Sequence, residues 1–147
     1  MKELLIKLKW ILEQMETELG TLVARTMEHD ILLEKIDDVK LAIEACQFAD
    51  EDNALESLCE LIRDTTCGAL YKTVKDYYYS VDKVVYHDLQ TNEYHTYSKM
   101  EDLAETLLVD ACTNEWFSVP AFANDKEKEE FYQGIINEYE YELVELA

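Results

Sequence analysis

Proline and glycine are scarce in this sequence: one proline and three glycines occur among 147 residues. Both residues interrupt helices, so their scarcity predicts a mainly helical chain. Gly20, Gly68 and Gly134 lie too far apart to supply a phosphate-binding loop, a dinucleotide-binding fingerprint or the glycine-rich elbow of a serine hydrolase. We therefore expect no enzyme of these classes, and we assign no catalytic residue and no cofactor.

Basic residues are also few, with 13 Lys and Arg against 33 Asp and Glu, and Arg25 and Arg63 are the only arginines. Nucleic-acid binding depends on clustered Lys and Arg. The formal net charge of −20 repels both nucleic acid and anionic membranes, and it attracts basic protein surfaces. We expect the partner to be a basic nucleic-acid-binding protein, with no direct contact to nucleic acid or membrane.

Long apolar runs are absent as well, since no uncharged run approaches the ~18 residues that a membrane span needs. The N-terminal stretch is interrupted by Lys7, Lys9 and Glu13, and no small-residue cleavage site follows it, which is unlike a signal peptide. The four cysteines form no CxxC pair, and three of them lie on apolar helical stripes, as small buried residues do. These features predict a cytoplasmic protein in a reducing environment.

What the sequence does contain is helical periodicity over much of its length. Apolar residues make up 48 %, enough for a folded core rather than a disordered acidic tail. They recur at spacings of three and four over residues 2–18, 30–49, 54–66, 99–113 and 124–147, which predicts five helices. The spacing over 69–79 predicts a further short helix, although the three consecutive tyrosines 77–79 favour a strand. Asp30 is the expected N-cap of the second helix, and Gly68 is the expected C-cap of the third.

Two segments, 83–88 and 93–97, have strand character, and a turn at 90–92 joins them. The predicted fold class is therefore mainly α (α+β). It is a helical bundle of about five helices with one β-hairpin near residues 83–97, in a single domain spanning residues 1–147.

The hairpin also contains a candidate metal site. His87 and His95 are expected almost opposite each other, with Asp88 and Glu93 nearby, and imidazole with carboxylate is a zinc-binding combination. A fourth ligand is not evident, and histidine is common at solvent-facing strand positions. We therefore predict no metal site.

The first helix has a second apolar side besides its main stripe. Ile6 and Trp10 pair at i, i+4 on that side. The helix is therefore either buried on two sides or part of a homodimer contact, and burial is the commoner outcome.

Three groups of acidic residues are the candidate partner-binding residues. One forms a row on the last helix, one lies before the third helix, and one begins the helix over 99–113. Like charges at helical spacing destabilise an isolated helix by about 0.2–0.5 kcal/mol per pair, so a function is expected to favour them. Residues 50–52 have an alternative role, which is to cap the following helix. The three groups are Glu127, Glu130, Glu138, Glu142 and Glu145; Asp50, Glu51 and Asp52; and Glu101, Asp102 and Glu105.

Carboxylates at this spacing lie about 5–6 Å apart along a helix. Two or three such helices side by side approach the charge density of DNA, which carries one negative charge per about 1.7 Å of axis. In these acidic groups the sequence resembles the anti-restriction and anti-CRISPR class, small acidic phage or mobile-element proteins that mimic DNA. The resemblance lies in composition and patterning and not in a shared motif.

This resemblance implies a stoichiometric inhibitor that occupies the basic nucleic-acid groove of a defence nuclease, either a CRISPR effector or a restriction enzyme. The alternative is a helical immunity or regulatory protein that binds one basic partner without copying DNA.

Overall fold

The computed structural model describes residues 1–114 and 123–146, and in this part the chain is mainly helical. Its elements, in chain order, are α1 (Lys2–Leu19), α2 (Met27–Phe48), α3 (Glu51–Asp64), α4 (Gly68–Ser80), β1 (Val84–Asp88), β2 (Glu93–Tyr97), α5 (Met100–Asn114), α6 (Asp125–Glu138) and β3 (Tyr141–Leu143). The predicted fold class, mainly helical with a hairpin near residues 83–97, is confirmed.

The described residues divide into two compact units. Unit 1 comprises Met1–Val81 with Leu146, and unit 2 comprises Asp82–Glu145. The single domain predicted over residues 1–147 stays a prediction.

In unit 1, α1 packs against α2 and α4, and α3 packs against α2 and α4. Fully buried side chains at helical spacing fill the space between the helices, as the periodicity predicts; they include Leu8, Val39, Leu58, Leu70 and Val74. Cys46, Cys59 and Cys67 are free and buried, which confirms their interpretation as small hydrophobic residues. Cys112 lies outside the residues whose side chains are described.

Two predicted helix caps in unit 1 are wrong. The N-cap of α2 is Thr26, whose hydroxyl oxygen accepts a hydrogen bond from the backbone N–H of His29 at 3.2 Å, so the helix starts before Asp30. The third helix ends at Asp64, and Gly68 is the first residue of α4 rather than a C-cap. The short helix over 69–79 is confirmed as α4, which extends one residue further to Ser80.

In unit 2, the sheet has the strand order β2-β1-β3, and both strand pairs are antiparallel. Val84, Tyr86 and Tyr97 alternate along β1 and β2 on one face of the sheet and pack with residues of α5 and α6. Leu103, Tyr132 and Ile136 are buried in the same cluster. Asn92, in the hairpin turn, adopts a left-handed backbone with φ 61°, which asparagine tolerates well.

The last helix is shorter than predicted, and this corrects the longest acidic row. It ends at Glu138, and Glu140 has a left-handed φ of 60°, which turns the chain out of the helix. Tyr141–Leu143 then pairs with the free edge of β1, with Tyr86 opposite Leu143 and His87 opposite Glu142. The segment forms a strand rather than continuing the helix because β1 supplies hydrogen-bond partners for its backbone groups. One of these partners is the carbonyl of Val85, which accepts from the N–H of Val144 at 2.9 Å. Glu142 and Glu145 are therefore not helical.

The second apolar side of α1 is not covered within the described chain. Ile6 and Trp10 are 68 % and 62 % exposed, so the expectation that α1 is buried on two sides is wrong. Across residues 1–114 and 123–146, no helix combines the length and the apolar character that a membrane crossing requires.

Candidate functional site

The acidic group at 50–52 lies at the start of α3, and part of it has a structural role. The Asp50 carboxylate accepts hydrogen bonds from the backbone N–H and the side-chain amide of Asn53, at 2.8 and 2.9 Å. The hydroxyl of Tyr77 donates to Glu51 at 3.4 Å. The capping interpretation is confirmed for Asp50.

The pKa of Tyr77 reflects its burial and the negative charge at this helix end. Burial raises the pKa of its hydroxyl to about 12, and the charge of Glu51 and the hydrogen bond to it act in the same direction. Asp52 adds a smaller effect of the same sign. The tyrosine thus stays neutral and donates to the carboxylate throughout the physiological range.

Some acidic residues of unit 2 form ion pairs with lysines, and others take part in the hydrogen bonds at a helix start. A Glu101 carboxylate oxygen lies 3.8 Å from Nζ of Lys99 and 3.9 Å from Nζ of Lys128. The Glu127 carboxylate accepts from the backbone N–H of Ala123 at 3.3 Å, and Asn124 caps α6 by accepting from the N–H of Glu127 at 2.9 Å. Glu101 and Glu127 therefore stabilise local structure.

The remaining predicted residues of unit 2 do not form one continuous row. Glu130 and Glu138 are exposed on α6, Glu105 is exposed on α5, and Asp102 is half-buried there. Glu142 lies on β3 opposite His87, and Glu145 follows the strand. The predicted row of five is thus reduced to three helical positions, Glu127, Glu130 and Glu138.

The expectation that His87 and His95 lie almost opposite each other across the hairpin is wrong. His87 pairs with Tyr94 and His95 pairs with Tyr86, so the two histidines lie on opposite faces of the sheet. The His87 ring stacks on Tyr94, with centroids 4.4 Å apart. In the described part of the chain, no group of three or more His, Cys, Asp or Glu side chains is placed to hold a metal ion.

An acidic row that the sequence analysis missed lies on α3. Asp52, Glu56, Glu60 and Asp64 follow one another at i, i+4 within this single helix. Successive carboxylates are therefore about 6 Å apart along the axis. The spacing is visible in the sequence, but a predicted helix start at residue 54 left Asp52 in a loop and concealed the row. Together with burial, Glu56 also raises the pKa of the Cys59 thiol, to about 12.

A groove of about 630 Å³ lies between α2 and α3, beside this row. Its lining is mostly apolar and includes Leu41, Phe48 and Leu61, while Glu44 of α2 and Glu60 of α3 add a carboxylate from each helix. Phe48 is 83 % exposed, more than any other large hydrophobic side chain in the described ranges. The row and the groove, which we call the α2/α3 surface, combine negative charge with an exposed aromatic side chain.

Known protein families, curated proteins and solved structures offer no match to this chain.

Proposed function

We propose that this protein is a stoichiometric inhibitor that copies the charge of DNA and occupies the basic nucleic-acid groove of a defence nuclease. The nuclease is a CRISPR effector or a restriction enzyme, and the inhibitor is a phage-type protein acting in the cytoplasm of the host. The observation that carries the proposal is the row Asp52, Glu56, Glu60 and Asp64 on α3.

The row on α3 repeats negative charge at a regular interval, and a second helix adds to it. Its carboxylates repeat about every 6 Å, and Glu44 on α2 adds charge across the groove. A net charge of −20 on 147 residues far exceeds the magnitude of about 2–8 that keeps a small domain soluble. Because such self-repulsion costs stability, solubility alone does not explain it.

The test measures competition between the protein and duplex DNA for a purified type II CRISPR effector and a purified type I restriction enzyme. One triple variant, Glu44→Gln, Glu60→Gln and Asp64→Asn, removes three charges from the α2/α3 surface. A matched triple, Glu105→Gln, Glu138→Gln and Glu145→Gln, removes the same charge from exposed sequence-predicted positions of unit 2. Both are assayed at two salt concentrations.

We expect the first triple to weaken inhibition of the responding nuclease by about tenfold, or about 1.4 kcal/mol, and the matched triple to weaken it less. Inhibition should also fall as salt rises, because charge neutralisation drives the contact. If the nuclease, DNA and wild-type protein form a ternary complex, charge mimicry is wrong. If the matched triple has the larger effect, the contact lies on the sequence-predicted groups of unit 2.

The alternative function, an immunity or regulatory protein that binds one basic partner without copying DNA, is favoured by the exposure of Phe48. Aromatic anchors concentrate binding energy, so Phe48→Ala would then cost more than about 2 kcal/mol of binding, while each charge change would cost little. A mimic shows the reverse order. The same competition assay, run with Phe48→Ala, separates the two functions.

A further inference from the structure

One face of α1 has no partner within the described chain. Leu4, Leu8 and Ile11 are buried in the core of unit 1, whereas Ile6 and Trp10 project from another side and are mostly exposed. Tryptophan is among the residues most enriched in buried protein interfaces. Trp10 lies near the middle of Lys2–Leu19, so this apolar patch is centred on the helix.

The net charge of α1 changes sign along its length. The N-terminal half carries Lys2, Lys7 and Lys9 against the single acid Glu3 and is net basic, whereas the C-terminal half carries only acids, Glu13, Glu16 and Glu18. This order opposes the helix macrodipole, which favours acidic residues at the start of a helix and basic residues at its end. The stability of the helix itself therefore does not account for the order, whereas an antiparallel partner of the same sequence does.

The register follows from symmetry. In an antiparallel pair of α1 helices related by a two-fold axis at Trp10, residue 10 faces its own copy and Lys7 faces Glu13 on both sides of the axis. A parallel pair would instead bring Lys7 next to Lys7. Neither Lys7 nor Glu13 forms an ion pair within the described residues, and both are exposed.

A groove of about 410 Å³ between α1 and α4 adjoins the patch. Ile6, Trp10, Ala69 and Thr73 line it, together with Lys7 and Lys72. It provides an apolar recess beside Trp10 for side chains of a facing helix. Its lysines complement the acidic C-terminal half of a second α1 and repel a basic partner.

We propose that the chain forms a two-fold symmetric homodimer through this face, in which α1 packs antiparallel to α1 of a second copy, with Trp10 at the axis and Lys7 opposite Glu13. The proposal is independent of the inhibitor function. Its consequence is an assembly with two α2/α3 surfaces related by symmetry.

The test is the dimer dissociation constant measured by analytical ultracentrifugation for the full chain and for charge variants. Lys7→Glu and Glu13→Lys, each alone, place like charges opposite each other twice and should weaken the dimer by at least about tenfold. The double variant Lys7→Glu with Glu13→Lys restores both pairs and should recover most of the loss. Lys40→Glu, an exposed change on α2, is the control for net charge.

Trp10→Ala should also give a monomer whose circular dichroism matches the wild-type protein, since the side chain is exposed. A wild-type protein that stays monomeric at high concentration overturns the proposal. A dimer unaffected by Trp10→Ala and by both single charge changes places the interface elsewhere and overturns it too. If the single charge changes weaken the dimer and the double variant does not recover it, the antiparallel register is wrong.

Discussion

The hydroxyl of Tyr79 forms two hydrogen bonds with the backbone of Leu146, donating to its carbonyl at 3.0 Å and accepting from its N–H at 2.8 Å. One side chain thus provides both partners that a neighbouring strand would provide. The last residues of unit 1 are attached to α4 in this way, and Leu146 packs against the core cluster of that unit.

We predict that Tyr79→Phe lowers the free energy of unfolding by about 1 kcal/mol, because it removes two hydrogen bonds whose backbone groups water can then reach. Urea denaturation followed by circular dichroism measures the change. Tyr71→Phe is the matched control, since the Tyr71 hydroxyl has no hydrogen bond within residues 1–114 and 123–146. Equal losses in the two variants would contradict the prediction.

Tyr77 should make stability depend on alkaline pH. Its folded pKa of about 12 lies above the ordinary value of 10.0, so the folded state holds this proton more tightly than the unfolded state. The resulting stability is fully present below pH 10 and is lost as pH rises towards 12. The melting temperature of the wild-type protein should therefore fall between pH 10 and pH 12, and that of Tyr77→Phe should fall less over the same range. Glu51→Gln should shift the loss to lower pH, and a profile unchanged in both variants would contradict the assignment.

Asp88 should make stability depend on acidic pH. Burial alone raises the pKa of this carboxyl, but hydrogen bonds from Gln90, Thr91 and Tyr141 outweigh it, and the pKa lies below its ordinary value. The stability it contributes is present above the unfolded pKa and is lost as pH falls through the folded one.

We therefore expect Asp88→Asn to lower the free energy of unfolding by about 1 kcal/mol at neutral pH. At a pH below the folded pKa the loss should be smaller, because the wild-type carboxyl is then neutral as well. Asp82→Asn, at an exposed position of unit 2, is the control. A cost that is the same at neutral and strongly acidic pH would show that the charge of Asp88 is not what matters.

Ile136 and Glu138 lie two residues apart on α6 and should respond oppositely to substitution. Ile136 is fully buried, so Ile136→Ala should cost about 2–5 kcal/mol of stability. Glu138 is exposed, so Glu138→Lys should change stability by about 0.5 kcal/mol or less. Thermal unfolding of both variants gives the comparison, and similar losses would show that α6 does not bury the predicted face.

Much of the fold could be predicted from local spacing, because amphipathic helices and a hairpin carry their pattern in consecutive residues. The end of α6 could not. Tyr139, Leu143 and Leu146 have helical spacing, and only the free edge of β1, far away in the sequence, makes a strand the better structure. The three consecutive tyrosines of α4 favour a strand by local preference, yet they lie in a helix. Packing separates them there, since Tyr78 is buried and Tyr79 is exposed.

The surroundings of the acidic groups could be predicted less fully than the fold. The capping role of Asp50 could be predicted because it depends only on residues that are close in the sequence. The lysines near Glu101 come partly from α6 and could be located only by tertiary packing. The α3 row depended on a helix start three residues earlier than the predicted one, an ordinary error at helix ends.

The strand order β2-β1-β3 also determines when the sheet can form. β1 and β2 are joined by a short turn, so their pairing closes quickly, whereas β3 must find β1 across the two intervening helices α5 and α6. During synthesis β3 leaves the ribosome only after α5 and α6. Until then one edge of β1 presents unpaired backbone groups, and it is open to pairing with strands of other molecules. The pairing of β3 with β1 therefore closes an edge at which other molecules could otherwise add a strand.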